Sequence, residues 1–176
     1  ALLKRNGDVV DTDGYKPIIC DIPDGDYYLM VNHRNHLGAI SANPINISCG
    51  SSVMDLRYDS SLVNGGVNAI KELDFGDIGL YAGDVNNDGI IQYSGATPEG
   101  PTVLSYVLNH PSNFLNLPTF SIPGYSDTDI DMDGQTQYAG GNSEMPIILQ
   151  NVLENPSNFL NLITWPIETQ LPETTD

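Results

Sequence analysis

An internal repeat constrains the fold of this chain more than any other feature of its sequence. Residues 84–120 align without a gap on residues 129–165, and 19 of the 37 aligned positions are identical. The longest identical run is Pro-Ser-Asn-Phe-Leu-Asn-Leu, found at 111–117 and again at 156–162. Repeats of this length are supersecondary units that bury their apolar faces against each other. We therefore expect two equivalent units, packed together, in the second half of the chain.

Each copy of the repeat opens with the hexapeptide D-x-[DN]-x-D-G. Its residues are Asp84, Asn86, Asp88 and Gly89 in copy one, and Asp129, Asp131, Asp133 and Gly134 in copy two. Alternating oxygen-bearing side chains before a sharp glycine turn form the first half of an EF-hand-type calcium loop. A single copy of this pattern is often only a polar turn. Two copies in register favour two Ca²⁺ sites.

The repeat also identifies further ligand candidates. A standard loop closes with an acidic residue at its twelfth position, but both copies have glycine there. The next acid is Glu99 or Glu144, at the sixteenth position of each copy, which predicts a loop four residues longer with a late, bidentate carboxylate. The seventh position offers a main-chain carbonyl, from Ile90 and Gln135. Loop two has three aspartates and is expected to bind more tightly than loop one.

A short helix is predicted after each loop. The apolar residues recur at helical spacing: Val103, Leu104, Val107 and Leu108 in copy one, Ile148, Leu149, Val152 and Leu153 in copy two. Pro101 and Pro146 suit a first helical turn, and Pro111 and Pro156 prevent continuation, so each helix should have about ten residues. The apolar residues that follow are expected to pack the two copies together: Phe114, Leu115, Phe159 and Leu160.

The first 72 residues predict an all-β unit. Short apolar runs at 27–31, 39–41, 45–49 and 53–58 alternate with turn sequences rich in Asp, Asn, Gly and Pro. Strands this short and close together predict a β-sandwich. A glycine-containing linker is expected at 73–83, and an extended or disordered tail at 166–176. The predicted fold class is mainly β with short α, a β-sandwich followed by a pair of calcium loop–helix repeats.

Composition limits the partners of the chain. It carries 23 acidic residues against six Lys and Arg, for a net charge of -17. Nucleic acids and anionic membranes need positive charge on the protein, so neither is expected as a partner. Two Ca²⁺ ions would offset about four of these charges. No apolar run is long enough to span a membrane. The chain opens directly on a predicted strand, and we expect a processed form.

Two cysteines, Cys20 and Cys49, lie in apolar alternating segments. They can form a disulfide between strands in an oxidising compartment, or two buried thiols, and the sequence leaves both open. His33 and His36 have the spacing of a metal-binding pair but no evident third ligand, so we interpret them as turn residues. Nucleophile-elbow, Walker, Cys-x-x-Cys and His-Glu-x-x-His motifs are missing from the sequence. An enzyme is not expected.

The paired loops, each leading into a helix, resemble the dockerin family of calcium modules. The residues that match its motif are Asp84, Asn86, Asp88, Asp129, Asp131 and Asp133. Dockerins often contact cohesin through small hydroxyl residues at loop positions ten and eleven. This chain departs from that pattern, with Tyr93-Ser94 and Tyr138-Ala139 at those positions.

A second resemblance covers most of the chain. Residues 1–11, residues 25–38 with the string His-Arg-Asn-His-Leu-Gly, and residues 80–89 are similar to a β-rich module near the ends of large secreted proteins of Bacteroidetes-type bacteria. The resemblance implies a secreted, surface-associated protein without an established enzymatic role. In that family a strand precedes the part that matches Ala1. A sandwich without it exposes an unpaired edge, which a neighbour can fill by strand addition.

These observations predict a secreted calcium-binding structural protein that self-associates into an extracellular fibre or surface assembly. The donated strand would be 1–5 or the C-terminal tail, and such head-to-tail contacts build filaments because they do not close. The alternative is a dockerin-like or carbohydrate-binding module of a larger secreted adhesin or enzyme, with a protein or glycan as its partner.

Overall fold

A computed structural model of the chain describes residues 1–4, 8–19, 21–48 and 54–172. The described residues form pairs of short antiparallel strands and two short α-helices. The mainly-β prediction is therefore confirmed, whereas the sandwich stays a prediction, because the strands group only in twos. Neither described helix combines the length and the apolar character that a membrane crossing needs.

The described residues of the N-terminal part form four strand pairs, and each is a two-stranded antiparallel sheet. They are β1 (Leu2–Leu3) with β2 (Val9–Val10), β3 (Gly25–Tyr27) with β6 (Ile45–Ile47), β4 (Met30–His33) with β5 (His36–Ile40), and β7 (Ile70–Glu72) with β8 (Ile78–Leu80). The β4–β5 hairpin turns at Arg34 and Asn35, and this turn reaches the second half of the chain.

Two predicted strands differ from the structure. The run at 27–31 is divided between β3 and β4, because the main chain at Leu29 bonds with Ser41 instead of continuing a ladder. Residues 54–58 form no strand. There the Asp55 carboxylate accepts hydrogen bonds from the main-chain N–H and the guanidinium of Arg57, which makes a local turn.

The predicted linker at 73–83 is a folded segment. It contains a 3₁₀ turn (Asp74–Gly76) and strand β8, and its Tyr81 is buried in the main core. The Leu37 main-chain N–H donates to the Tyr81 carbonyl at 2.9 Å. This segment therefore joins the N-terminal strands to the repeats through backbone hydrogen bonds.

The two copies of the repeat share one core. Helix α1 is Gly100–Leu108 and helix α2 is Met145–Glu154, each with its proline in the first turn, as predicted. The buried apolar residues come from both copies, from the segments that flank them and from strand β5: Leu37, Tyr81, Val85, Ile91, Val103, Ile130, Ile148, Val152 and Ile167. The expected packing of copy against copy is confirmed, but the residues that form it differ from the predicted Phe114, Leu115, Phe159 and Leu160.

The residues expected between the copies face solvent instead. Phe114 and Phe159 are 87% and 81% exposed, and Leu115 and Leu160 are exposed as well. The buried residues of the two identical heptapeptides are their first asparagines, Asn113 and Asn158. That expectation was wrong because the asparagine side chains turn the backbone and point the neighbouring Phe-Leu pairs outward.

The strand pairs of the repeats extend the symmetry beyond residues 120 and 165. Strand β9 (Ile90–Ile91) leaves loop one and pairs with β12 (Ile167–Glu168), while β11 (Gln135–Thr136) leaves loop two and pairs with β10 (Ile122–Pro123). Strands β10 and β12 lie 45 residues apart, at equivalent positions of the two copies. The first residues of the predicted tail are thus extended and paired with loop one.

Candidate metal centre

Two buried acidic clusters lie at the two loops. In loop one, carboxylate oxygens of Asp84, Asp88 and Glu99 lie within 4.8 Å of one another. In loop two, the same holds for Asp129, Asp131 and Glu144. Each cluster therefore joins the start of a loop to the residue immediately before a helix, and each has the donor chemistry to hold a metal ion.

The loops fold through their own carboxylates. The two oxygens of Asp84 accept hydrogen bonds from the main-chain N–H groups of Asp88 and Gly89, at 3.1 and 3.2 Å. The residues at the fourth and sixth positions have positive φ, 57° at Asn87 and 80° at Gly89. Loop two repeats this conformation at the equivalent positions. Two consecutive main-chain N–H groups thus hold the first-position carboxylate of loop one in place.

Glu99 and Glu144 reach the loops from the helix N-termini. Each is the residue that precedes its helix. Glu99 Oε2 accepts a hydrogen bond from the main-chain N–H of Val85 at 3.2 Å, and Glu144 Oε2 accepts the equivalent bond from Ile130 at 3.0 Å. The late acids predicted from the sequence are therefore in the clusters.

A glutamine braces the four extra residues of each loop. Gln92 Oε1 accepts from the Thr97 main-chain N–H, and its carbonyl accepts from the N–H of Glu99. Gln137 makes the equivalent bonds in copy two. A Cβ at Gly95 would collide with the Gln92 side chain. This explains why the twelfth position has no acid: the glutamine side chain fills that space.

One carboxylate oxygen in each cluster has no hydrogen-bond partner among the described residues. These atoms are Glu99 Oε1 and Asp129 Oδ1, and both residues are 0% exposed. A buried oxygen that loses water without gaining a donor is costly. A bound cation satisfies such an atom directly, so the residues present fit a metal ion.

Burial also perturbs the protonation of these carboxyls. It raises the pKa of Glu99 to about 8 and that of Glu144 to about 7, and neighbouring aspartates add to the shift. Burial likewise raises the pKa of Asp84 and of Asp129, although Arg34 opposes the shift at Asp129. Without a cation, these groups resist carrying negative charge together.

The other predicted ligands lie in the loops but are not among the clustered carboxylates. Asn86 Nδ2 donates to Asp88 Oδ2 at 3.0 Å, so it touches the cluster through another ligand. Asp133 is exposed, and its Oδ1 accepts from the main-chain N–H of Gln135 at 2.7 Å. Ile90 and Gln135 are the first residues of β9 and β11. The acidic trio of loop one thus contains the fifth-position aspartate, whereas that of loop two contains the third.

The sequence analysis missed two residues beside loop two. Asn35, buried, donates from Nδ2 to the main-chain carbonyl of Asp129 at 2.7 Å. Arg34 donates from Nε to the Ser126 carbonyl at 2.9 Å, and its Nη2 lies 3.4 Å from Asp129 Oδ2. Both belong to the string His-Arg-Asn-His-Leu-Gly, which carried a resemblance but no assigned role. That string was the only signal available.

The two histidines of the string hold the hairpin turn. Their Nδ1 atoms are 2.9 Å apart, and His36 Nδ1 also lies 2.8 Å from Asn35 Oδ1. Burial lowers the pKa of His36 to about 4. A neutral imidazole therefore fixes the amide of Asn35, whose other end contacts loop two. Cys20 and Cys49, the predicted disulfide, lie outside the described residues.

Comparisons with known proteins add no relative. No protein-family model matches the chain, and neither the curated proteins nor the solved structures contain a match.

Proposed function

We propose that the two acidic clusters are Ca²⁺ sites that brace the tandem repeat of a secreted structural protein. The observation that carries the proposal is the buried carboxylate oxygen without a partner in each cluster, Glu99 Oε1 and Asp129 Oδ1. Ca²⁺ suits these clusters better than Mg²⁺ because the donors are all oxygens, are numerous, and stand on long loops. Softer metals prefer nitrogen or sulfur donors, and neither acidic cluster contains them.

Calcium binding and folding of the repeats should be coupled. Each cluster joins an aspartate at the start of a loop to a glutamate 15 positions later, and the helix that follows supplies buried residues to the shared core. An ion at each cluster would remove the repulsion between its carboxylates and fix the helix N-terminus. A site with free Ca²⁺ at a hundred times its Kd stabilises the fold by about 2.7 kcal/mol.

The test is calorimetric titration of the metal-free chain with Ca²⁺, followed by thermal unfolding with and without the ion. Two equivalents are expected for the native chain, and one for each of the variants Glu99→Gln and Glu144→Gln. Exposed Asp24 lies outside both clusters, so Asp24→Asn is the control and should retain two. Glutamine removes the charge but keeps the shape. Without Ca²⁺, each ligand variant should therefore unfold at a higher temperature than the native chain. When Ca²⁺ is added, the unfolding temperature of each variant should rise less than that of the native chain.

A wider role follows if the chain works outside the cell. We propose that it is a subunit of an extracellular fibre or surface assembly, with calcium keeping each subunit folded. The favouring observation is the number of exposed apolar side chains in the N-terminal strands and turns. Among them are Leu2, Val9, Ile18, Ile19 and Met30. Leu2 and Leu3 of β1 pair with Val10 and Val9 of β2, and β2 also bridges to Pro17. Strand addition would therefore extend the pair on the β1 side, where the described residues place no further strand.

Electron microscopy of the purified chain tests this wider role. Filaments in Ca²⁺ that disappear with chelator are the expected result. Discrete particles in both conditions would favour the second candidate, a dockerin-like or carbohydrate-binding module of a larger secreted protein. The exposed aromatic side chains of Tyr28 and Tyr58 favour that candidate, because such rings can stack on a sugar or fill a partner's pocket.

A further inference from the structure

The two identical heptapeptides, 111–117 and 156–162, form rigid loops with an exposed tip. Asn113 Nδ2 donates to the carbonyls of Val107 and Leu117, at 2.8 and 2.9 Å, and its Oδ1 accepts from the Leu117 N–H at 2.9 Å. Asn158 makes the same three bonds in copy two. The polar side chain that shapes each loop is thus buried and fully used by the backbone.

The tips of these loops carry large apolar residues that the core does not need. Phe114 is 87% exposed and Leu115 is 77% exposed. A flexible loop could fold such residues away, but the asparagine bonds hold this one open. Scattered exposed apolar residues are common on proteins. A rigid loop that presents an adjacent Phe and Leu, twice and with one sequence, instead indicates a binding element.

The two copies differ in what covers the adjacent helix. Beside α2, the Lys71 ammonium lies 2.7 Å from Asn151 Oδ1 and 3.1 Å from Glu154 Oε2, and Ser157 Oγ donates to Asn68. The N-terminal strands therefore cover the face of copy two.

The equivalent face of copy one is open to solvent. Tyr106 takes the place of buried Asn151 and is 39% exposed. Copy one thus has an aromatic ring where the covered copy has an amide. An open surface that is more apolar than its covered counterpart indicates that something else covers it.

Charge indicates which partner can approach that face. Residues 100–126, which include α1 and the first heptapeptide, contain no Asp, Glu, Lys or Arg, although the chain has a net charge of -17. Two copies of so acidic a chain repel each other over most of their surface. They meet most easily where charged residues are few on both surfaces. The face of copy one is such a surface, and it suits a second copy better than a cationic partner.

The chain also carries a concave surface of matching character. A recess of about 230 Å³ lies beside β7 and β8, and its lining includes Tyr58, Val67, Ile70, Glu72, Ile78 and Pro156. Glu72 is the one charged residue in the described lining. Pro156 is the first residue of the second heptapeptide, so the recess reaches the start of that loop. A phenyl ring placed in this recess would exchange water for aliphatic and aromatic contacts.

We propose that Phe114 and Leu115 of one copy insert into the Tyr58–Val67–Ile78 recess of a second copy. The contact buries the first heptapeptide tip, which accounts for the exposure of that tip in a single chain. It joins different surfaces of the two copies, so it is heterologous and continues into an open filament. The proposal rests on the calcium-braced fold, because α1 and the loop that follows it are held by site one.

The test uses two complementary variants, Phe114→Asp and Val67→Asp, in sedimentation velocity with Ca²⁺ over rising concentration. Both positions are exposed, so both variants should fold. The native chain should form a growing series of oligomers. Each variant alone should associate at least about tenfold more weakly, as expected for a central apolar anchor. In an equimolar mixture, the intact loop tip of Val67→Asp can enter the intact recess of Phe114→Asp. The altered tip and the altered recess cannot bind further copies, so the mixture should stop at dimers.

Control variants separate this contact from other modes of assembly. Tyr15→Asp changes an equally exposed aromatic elsewhere and should leave the oligomers unchanged. Leu2→Asp tests strand addition at the β1–β2 hairpin. Oligomers lost with Leu2→Asp but retained with Phe114→Asp would overturn the proposal in favour of strand addition. A native chain that stays monomeric but binds neutral phosphatidylcholine vesicles through Phe114 would overturn it in favour of a lipid surface.

Calcium titration of the same samples keeps the two proposals separate. A native chain that binds two Ca²⁺ and stays monomeric at the highest concentration would overturn the contact and leave the calcium sites intact. A chain that binds no Ca²⁺ yet forms oligomers sensitive to Phe114→Asp would overturn the calcium sites and leave the contact intact.

Discussion

The side chain of Asn35 donates a hydrogen bond to the main-chain carbonyl of Asp129 across 94 residues of sequence, at 2.7 Å. Through it the tip of an N-terminal hairpin contacts the first residue of the second acidic loop. The loop-one counterpart, Asp84, lacks such a donor among the described hydrogen bonds. The acidic clusters of loop one (site one) and loop two (site two) therefore differ in their surroundings. Among the described residues, site two alone is connected to the N-terminal strands through its first aspartate.

The first prediction concerns that connection. Asn35→Ala should weaken Ca²⁺ binding at site two by about tenfold, since residues that orient a ligand typically contribute that much or more to metal affinity. Titration in a Glu99→Gln background isolates site two, and a Glu144→Gln background isolates site one, which should not change. Exposed Asn32 is the matched control, as Asn32→Ala keeps the turn. An equal loss at both sites would mean that Asn35 acts only through general stability.

The second prediction concerns pH. The carboxyl pKa of Glu99 is raised to about 8 and that of Glu144 to about 7, from an ordinary value of 4.5. At pH values between 4.5 and these raised pKa values, Glu99 and Glu144 keep protons in the metal-free folded chain that they release in the unfolded chain. This contribution to stability is complete below pH 4.5 and is lost as the pH rises toward 8. The melting temperature without Ca²⁺ should therefore fall from pH 5 to pH 8.

Calcium reverses that dependence because the ion binds the deprotonated carboxylates. Its affinity should rise over the same interval, and binding at pH 7 should release protons, detected as a binding enthalpy that varies with the buffer. A doubly substituted Glu99→Gln, Glu144→Gln chain lacks these two titrating carboxyls and should show a flatter profile. A metal-free melting temperature that rises with pH by the same amount in both chains would contradict the assignment.

The third prediction concerns the glycine at the twelfth loop position. Gly95 has a φ of 144° and Gly140 a φ of 128°, and a Cβ at either would collide with the glutamine that braces the loop. Gly95→Ala should lower the free energy of unfolding by about 1–3 kcal/mol, from backbone strain and displacement of the brace. Gly141 has open space around its Cα and no positive φ. Gly141→Ala should therefore change stability little.

Much of the candidate site was predictable because its information is local. Asp84 and Asp88 share one hexapeptide, and the repeat identified Glu99 as the late acid when the standard position was a glycine. Helix bounds followed for the same reason, since Pro101 and Pro111 are local signals. Each of these features depends on residues that are close in the sequence, so their spacing along the chain is enough to predict how they are arranged.

The remaining features depend on tertiary structure. Arg34 and Asn35 meet loop two through a fold that brings together residues nearly a hundred positions apart, and no periodicity encodes that approach. Phe114 was misplaced for a different reason. Apolar character predicts burial on average, but here the neighbouring Asn113 turns the backbone and points the ring outward. A buried asparagine beside an exposed phenylalanine reverses the usual inference from hydropathy.

The fourth prediction concerns that reversal. Asn113→Ala removes three hydrogen bonds and leaves the carbonyls of Val107 and Leu117 without a side-chain donor. It should lower the free energy of unfolding by about 1–3 kcal/mol for each group left buried and unpaired. Phe114→Ser, one residue away, changes an exposed ring and should shift stability by no more than about 0.5 kcal/mol. Chemical denaturation in saturating Ca²⁺ measures both.

The second heptapeptide supplies the matched comparison for this prediction. Asn158→Ala removes the same three bonds after α2, where Ser157 also contacts the N-terminal strands through Asn68. That extra contact should hold the second loop in place, so Asn158→Ala is expected to cost stability without disordering Phe159. Asn113→Ala should instead free Phe114, visible as faster amide exchange at residues 113–117. Greater destabilisation by Phe114→Ser than by Asn113→Ala would mean that the ring is buried and that the loop is not an exposed binding element.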